Sequence, residues 1–200
     1  DWRPRLSEMS RAHVGDLWSY SSRVLGFNLG KALVQNSDRL IIGYMLGAPA
    51  VGIYTFAHKL VISPASSFVG AVGTYLFPAL SRVQGDMEAV RQDYFRATRI
   101  VVRVVLAYLL LLVFLAPLLI GPVFGEEWRE AVTVIRCLAV AAFLVSVFSP
   151  VGQLLKALNR PGWLLAWSVF FSILMLLGVT IGARWGVTGA ALGFSAAHVI

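Results

Sequence analysis

Long apolar runs of roughly twenty residues recur along the whole chain, the length a helix needs to cross the roughly 30 Å hydrocarbon core of a bilayer. In lipid the backbone has no water to bond, so such a segment must satisfy its own amides, as a helix does and an open strand does not. Six windows qualify, at 18–46, 52–80, 97–120, 130–157, 162–183 and 187–200, the last cut short at Ile200. Between windows, Gly47-Ala48-Pro49-Ala50, Gly121-Pro122 and Arg160-Pro161-Gly162 carry the Gly and Pro that separate helices. The stretch 81–96, SRVQGDMEAVRQDYFR, reads as a water-exposed loop. The expected fold class is all-α, a polytopic membrane bundle of six transmembrane helices over 18–200, preceded by a polar cytoplasmic linker over 1–17.

Composition agrees with lipid as the solvent. Hydrophobic residues make up 58% of the chain and charged residues 14%, against roughly a quarter charged in an ordinary soluble domain. The net charge of +7 does not imply nucleic acid, because a nucleic-acid footprint is a contiguous basic patch on a water-soluble fold. Here the basic residues punctuate apolar runs, and no nucleic-acid partner is expected. Cys137 stands alone, so neither a disulfide nor a thiolate cluster forms within the chain. The opening segment lacks the apolar core of a signal peptide. A start at Asp1 and a stop inside an apolar run lead to the expectation of a piece cut from a longer protein.

Lysine and arginine accumulate in cytoplasmic loops, so their distribution over alternate sides of the spans sets the orientation. One side holds Arg3, Arg5, Arg11, Arg23, Arg82, Arg91, Arg96, Arg99, Arg103, Lys156 and Arg160; the other holds Arg129 and Arg184. The first side is expected to be cytoplasmic. A wrong helix count would have scrambled this separation.

Four basic residues, Lys31, Arg39, Lys59 and Arg136, and one acid, Asp38, fall inside the expected spans. A charge at the bilayer centre costs about 2.5–3.5 kcal/mol on insertion scales, so such residues face a cavity or a partner. In the first span Asn28, Lys31, Gln35 and Asp38 lie on one helical face, with Arg39 beside it. In the second, Thr55, Lys59, Ser63 and Ser66 form a stripe, with Tyr54 and His58 alongside; the fourth offers Arg136, Ser146, Ser149 and Gln153. Converging stripes would line a hydrated, positive groove suited to an anion such as a diphosphate, which arginine grips with two donors at once. The alternative is that Asp38 neutralises Lys31, Arg39 or Lys59 as a buried pair while the other charges snorkel to an interface. His58 is expected to pack or hydrogen-bond rather than bind metal. Pro64 and Pro150 are expected inside helices, as hinges or as static bends. Gly26, Gly30, Gly70 and Gly73 offer small faces for close helix approach.

The sequence has no P-loop, GxSxG, HExxH or dinucleotide fingerprint. No enzyme activity and no cofactor are expected, and energy for transport would come from a coupling ion, a substrate gradient or another chain.

The stretch LGFNLGKALVQNSDRLIIGYMLGAPAVGIYTFAHKLVISP at 25–64, followed by YLFPALSRVQGD at 75–86, resembles the polysaccharide-export flippases of the multidrug, oligosaccharidyl-lipid and polysaccharide exporter superfamily. The likeness rests on Asn36-x-Asp38-Arg39-x-x-Ile42-Gly43, Leu46-Gly47 to Gly52-x-Tyr54, and Phe77-Pro78-Ala79-Leu80-Ser81. FGEEW at 124–128, NRP at 159–161 and WGVTGAALG at 185–193 extend it over nearly the whole chain. The resemblance implies one six-helix lobe of a two-lobe transporter in the bacterial inner membrane, with the N-terminal lobe of the same protein as its partner. It also implies translocation of an undecaprenyl-diphosphate-linked oligosaccharide to the periplasmic leaflet, with basic cavity residues receiving the diphosphate. Lys31, Asp38, Arg39, Lys59 and Arg136 are the candidate substrate-binding residues. Two competing readings stand beside it: a multidrug exporter, which calls for acidic rather than basic cavity residues, and a non-transporting membrane subunit of a glycan-assembly complex.

Overall fold

A computed structural model describes residues 35–83, 85–157 and 161–198, together with Ser21 and Leu25. The chain divides into two compact units, 1–37 and 38–200, and the described residues lie almost wholly in the second. Among them the fold is all-helical, without a strand. The helices are α1 (Ser37–Leu46), α2 (Ala48–Arg82), α3 (Met87–Phe124), α4 (Arg129–Ala157), α5 (Pro161–Gly182) and α6 (Gly186–Ala197), with 3₁₀ turns at Glu126–Trp128 and Ala183–Trp185.

Four stretches are long and apolar enough to cross a membrane: Ala48–Arg82, Met87–Phe124, Glu126–Gly152 and Trp167–Ala197. Six separate spans are not reached among the described residues. The 10 residues of α1 and the 12 of α6 are each short of a crossing, which takes about 20. The rest of the expected first span, with Lys31, Gly26 and Gly30, lies outside the described residues apart from Ser21 and Leu25, as does the whole of the expected linker over 1–17.

The expected loop at 81–96 is corrected by the structure. Helix α3 already begins at Met87, because Asp86 caps it, its side chain accepting from the Glu88 amide at 3.0 Å and the Ala89 amide at 3.2 Å. The expected break at Gly121-Pro122 is also displaced, since Pro122 lies within α3 and the chain turns at Gly125 instead. Gly125 has φ 101° and Gly47, between α1 and α2, φ 85°. Both values lie in the left-handed region that a side chain disfavours.

Helix α4 is the centre of the bundle and packs on α2, α3 and α6, and more lightly on α5. Its small buried residues Ala131, Ala139, Ala141 and Ala142 allow that, with Val134, Ile135 and Leu138 filling the space between. At one end Phe56 stacks edge-on against Phe124 and also meets Trp128, both at 4.9 Å between ring centroids. At the other, Leu76 and Leu80 of α2 pack on Val90 and Ala97 of α3. Ser195 of α6 donates to the Cys137 carbonyl at 2.7 Å, tying α6 to α4.

Pro64 and Pro150 lie inside continuous helices, together with Pro78, Pro117 and Pro122. A proline in a helix frees the carbonyl four residues earlier. For Pro64 that is Leu60, and the Tyr108 hydroxyl of α3 donates to the Leu60 carbonyl. Replacing Tyr108 by Phe is expected to cost about 1 kcal/mol, the scale of interhelical hydrogen bonds in membranes. Thermal unfolding of the purified variant in detergent measures this, and an unchanged midpoint would show that Leu60 finds another donor.

The close helix approach in this fold is not at Gly70, where an added Cβ would meet nothing within 4 Å. It is between α5 and α6. A Cβ at Gly178 would fall on the Gly193 carbonyl and one at Gly182 on the Gly189 carbonyl, and the reverse holds for Gly189 and Gly193. The two pairs run in opposite chain directions, so α5 and α6 form an antiparallel hairpin with backbone against backbone.

Candidate functional site

Two of the charged side chains of the apolar segments, Asp38 and Arg39, lie where α1 meets α2. Asp38, in the first turn of α1, is 2% exposed. Its Oδ2 accepts from the Tyr54 hydroxyl at 3.0 Å, and its Oδ1 accepts from the Arg39 main-chain amide at 2.8 Å. Arg39 is half-buried and its Nη2 donates to His58 Nδ1 at 3.1 Å. A guanidinium carries only donors, so that ring nitrogen is the acceptor. The His58 ring sits 6.0 Å from the Tyr54 ring and 6.2 Å from Phe194 of α6. Asp38, Arg39, Tyr54 and His58 therefore form one hydrogen-bonded cluster across two helices.

The local sequence explains the arrangement. Tyr54 and His58 are four residues apart on α2 and share a face, while Asp38 and Arg39 are adjacent on α1 and diverge around the helix. The Tyr54 face turns inward with Ala57, Val61 and Ala65, all buried.

Lys59 and Arg136 are placed differently. Both are exposed, Lys59 on a stripe of α2 with Gly52, Ser63, Ser66 and Gly70, and Arg136 on a stripe of α4 with Thr133 and Val140. Neither makes a hydrogen bond or ion pair among the described residues. The stripe expected on the fourth span separates in the structure. Ser146 is 2% exposed and bonds back to the Ala142 carbonyl at 2.7 Å, whereas Arg136 faces outward. Thr55, expected on the α2 stripe, is half-buried, with an Oγ1 that has no partner among the described residues. Other hydroxyls satisfy their own helix, as Ser67 does on Ser63 and Thr180 on Leu176.

Sequence reasoning placed Tyr54 and His58 beside the stripe without a partner for either; the cluster they build with Asp38 and Arg39 emerges only from the packing. No group of His, Cys, Asp and Glu suited to a metal occurs among the described residues.

With basic side chains set into long apolar helices, comparison with known proteins decides the family. The polysaccharide biosynthesis protein family matches residues 1–133. The chain belongs to it. Among relatives of this family member, the lipopolysaccharide biosynthesis protein WzxC of Escherichia coli (strain K12) is 28% identical over 200 residues, covering 100% of this chain and 40% of the relative. The teichuronic acid biosynthesis protein TuaB of Bacillus subtilis (strain 168) is 29% identical over 182 residues, 91% of this chain and 37% of TuaB. The probable low-salt glycan biosynthesis flippase Agl15 of Haloferax volcanii is 30% identical over 193 residues, 94% of this chain and 40% of Agl15. The chain thus spans about two fifths of the length of these relatives. No solved structure gives a significant match. Together with the four apolar stretches, the comparisons identify a multi-pass membrane protein of polysaccharide biosynthesis.

Proposed function

We propose that this chain is one six-helix lobe of a two-lobe flippase in the bacterial inner membrane. The whole protein moves an undecaprenyl-diphosphate-linked oligosaccharide from the cytoplasmic to the periplasmic leaflet, and the N-terminal lobe closes the cavity from the other side. Family membership and the flippase named among the relatives support the reading. One observation carries it. Lys59 and Arg136 stand exposed on two helices that pack together, in apolar segments, without a partner among the described residues. Such charges are costly against hydrocarbon and cheap against a water-filled cavity.

In this reading the diphosphate is held by Arg39, Lys59 and Arg136. Asp38, buried and bonded to the Tyr54 hydroxyl and the Arg39 main-chain amide, holds α1 to α2 and does not meet the ligand. The lobe performs no bond chemistry: it neutralises the diphosphate while the sugar crosses in water and the prenyl chain stays in lipid. A coupling ion, a substrate gradient or another chain drives the cycle.

The test is the full-length protein in proteoliposomes loaded with undecaprenyl-diphosphate-linked oligosaccharide, read as sugar newly accessible at the opposite face. The wild type is expected to translocate it. Lys59→Gln and Arg136→Gln are each expected to slow it about tenfold or more, the scale of one charge-assisted hydrogen bond. No translocation by the wild type, with copurification of a glycosyltransferase, would replace this reading with that of a structural subunit.

A further inference from the structure

Helix α3 changes character once along its outer face. Arg96, Arg99 and Arg103 follow at i, i+3 and i+7 and are all exposed. The same face continues as Leu110, Phe114 and Leu118, exposed by 62%, 71% and 61%. A face that ends in leucine and phenylalanine meets acyl chains, so its arginine portion cannot lie against an aqueous cavity running the length of the helix. From Arg103 to Phe124 the helix rises about 32 Å, enough to cross the roughly 30 Å hydrocarbon core. The residues before Arg103 therefore emerge from the membrane. The three arginines cover about 10 Å of rise, spanning the headgroup layer.

None of the three has an acidic partner among the described residues. Arg99 Nε donates to its own helix at the Phe95 carbonyl, 3.2 Å away. Glu88, the nearest acid engaged by an arginine, pairs with Arg91 at 3.9 Å and lies about two turns before Arg96. Three guanidinium groups without acidic partners, aligned on one face at headgroup depth, complement phosphate in charge and in hydrogen-bond geometry.

We propose that Arg96, Arg99 and Arg103 form a binding site for anionic phospholipid headgroups in the leaflet from which α3 enters the membrane. The lipid's chains lie along Leu110, Phe114 and Leu118. The site fixes the depth of α3, and through the α3 contacts with α4 the depth of the central helix. It is separate from the basic residues of the transport reading and does not depend on it.

The experiment uses the full-length protein in nanodiscs of phosphatidylcholine mixed equally with phosphatidylglycerol, with the lipids retained after release counted by native mass spectrometry. The wild type is expected to retain phosphatidylglycerol preferentially. Each Arg→Gln change should lower that preference about fivefold, and the triple Arg96→Gln, Arg99→Gln, Arg103→Gln variant on the order of a hundredfold. The triple Arg→Lys variant should keep most of it, which separates loss of charge from loss of fold, and Arg82→Gln should leave it unchanged. Equal retention by the triple Gln variant and the wild type would overturn the proposal. So would displacement of the lipid by inorganic phosphate, which would mark a free-anion site.

Discussion

Gly182→Val is expected to prevent the α5–α6 hairpin from closing, at a cost of about 3 kcal/mol or more, beyond the usual range for overpacking. A Cβ at Gly182 would fall on the carbonyl of Gly189, and one at Gly189 on the carbonyl of Gly182 and beside the Trp185 side chain. The first of these obstacles is backbone, so no rotamer change relieves it. In lipid, helices gain no hydrophobic advantage from meeting, and their association rests on van der Waals contact at short range. Separating α5 from α6 by the width of a valine removes that contact along the whole hairpin. The measurement is the yield of monodisperse full-length protein and its unfolding midpoint in detergent. Gly193→Val, acting on Gly178, is expected to match it. Gly52→Val and Gly70→Val, where nothing lies within 4 Å, should stay near wild type. Wild-type melting of Gly182→Val would show that the two helices are not in backbone contact.

These glycines were readable in principle. Gly178-x-x-x-Gly182 and Gly189-x-x-x-Gly193 are two small-residue repeats facing each other across a short turn. Gly26, Gly30, Gly70 and Gly73 offer small faces of the same kind, and a small face on a helix does not say which neighbour approaches. The start of α3 was hidden for a different reason. Apolar windows report only the part of a helix inside lipid, so the charged turns from Met87 onward read as loop, although Asp86 followed by Met87-Glu88-Ala89 is a helix-capping pattern. The stripe drawn from Arg136 to Ser146 was inconsistent in the sequence itself. Ten residues is about 80° short of whole turns, and the structure turns Ser146 inward and Arg136 outward. Asp38, Arg39, Lys59 and Arg136, singled out in the sequence, do lie in helices. What periodicity could not supply was the pairing of Asp38 with Tyr54, which depends on how α1 sits against α2 after the turn at Gly47.

That pairing yields the sharpest division between fold and transport. Asp38→Ala removes the acceptor of the buried Tyr54 hydroxyl and of the Arg39 main-chain amide. The expected loss is about 2 kcal/mol, the scale for a buried donor left without its acceptor. Arg39→Gln acts in the opposite sense. The Asp38–Tyr54 bond and the main-chain amide bond to Asp38 both survive it, because neither uses the Arg39 side chain. Its midpoint is expected to move less than that of Asp38→Ala, while polysaccharide export in cells carrying the full-length variant falls at least about tenfold, as loss of a charge-assisted contact to phosphate requires. Arg39→Lys should recover part of the export, since a lysine supplies charge without the two-pronged grip. His58→Gln, which can still accept from Arg39, should leave export close to wild type. Two results would decide against this division: normal export by Arg39→Gln, which would remove Arg39 from the ligand path, and wild-type melting of Asp38→Ala, which would mean that the buried carboxylate does not hold α1 to α2. The contrast between the two readouts matters more than either alone, because a helix that simply comes loose would lower both together.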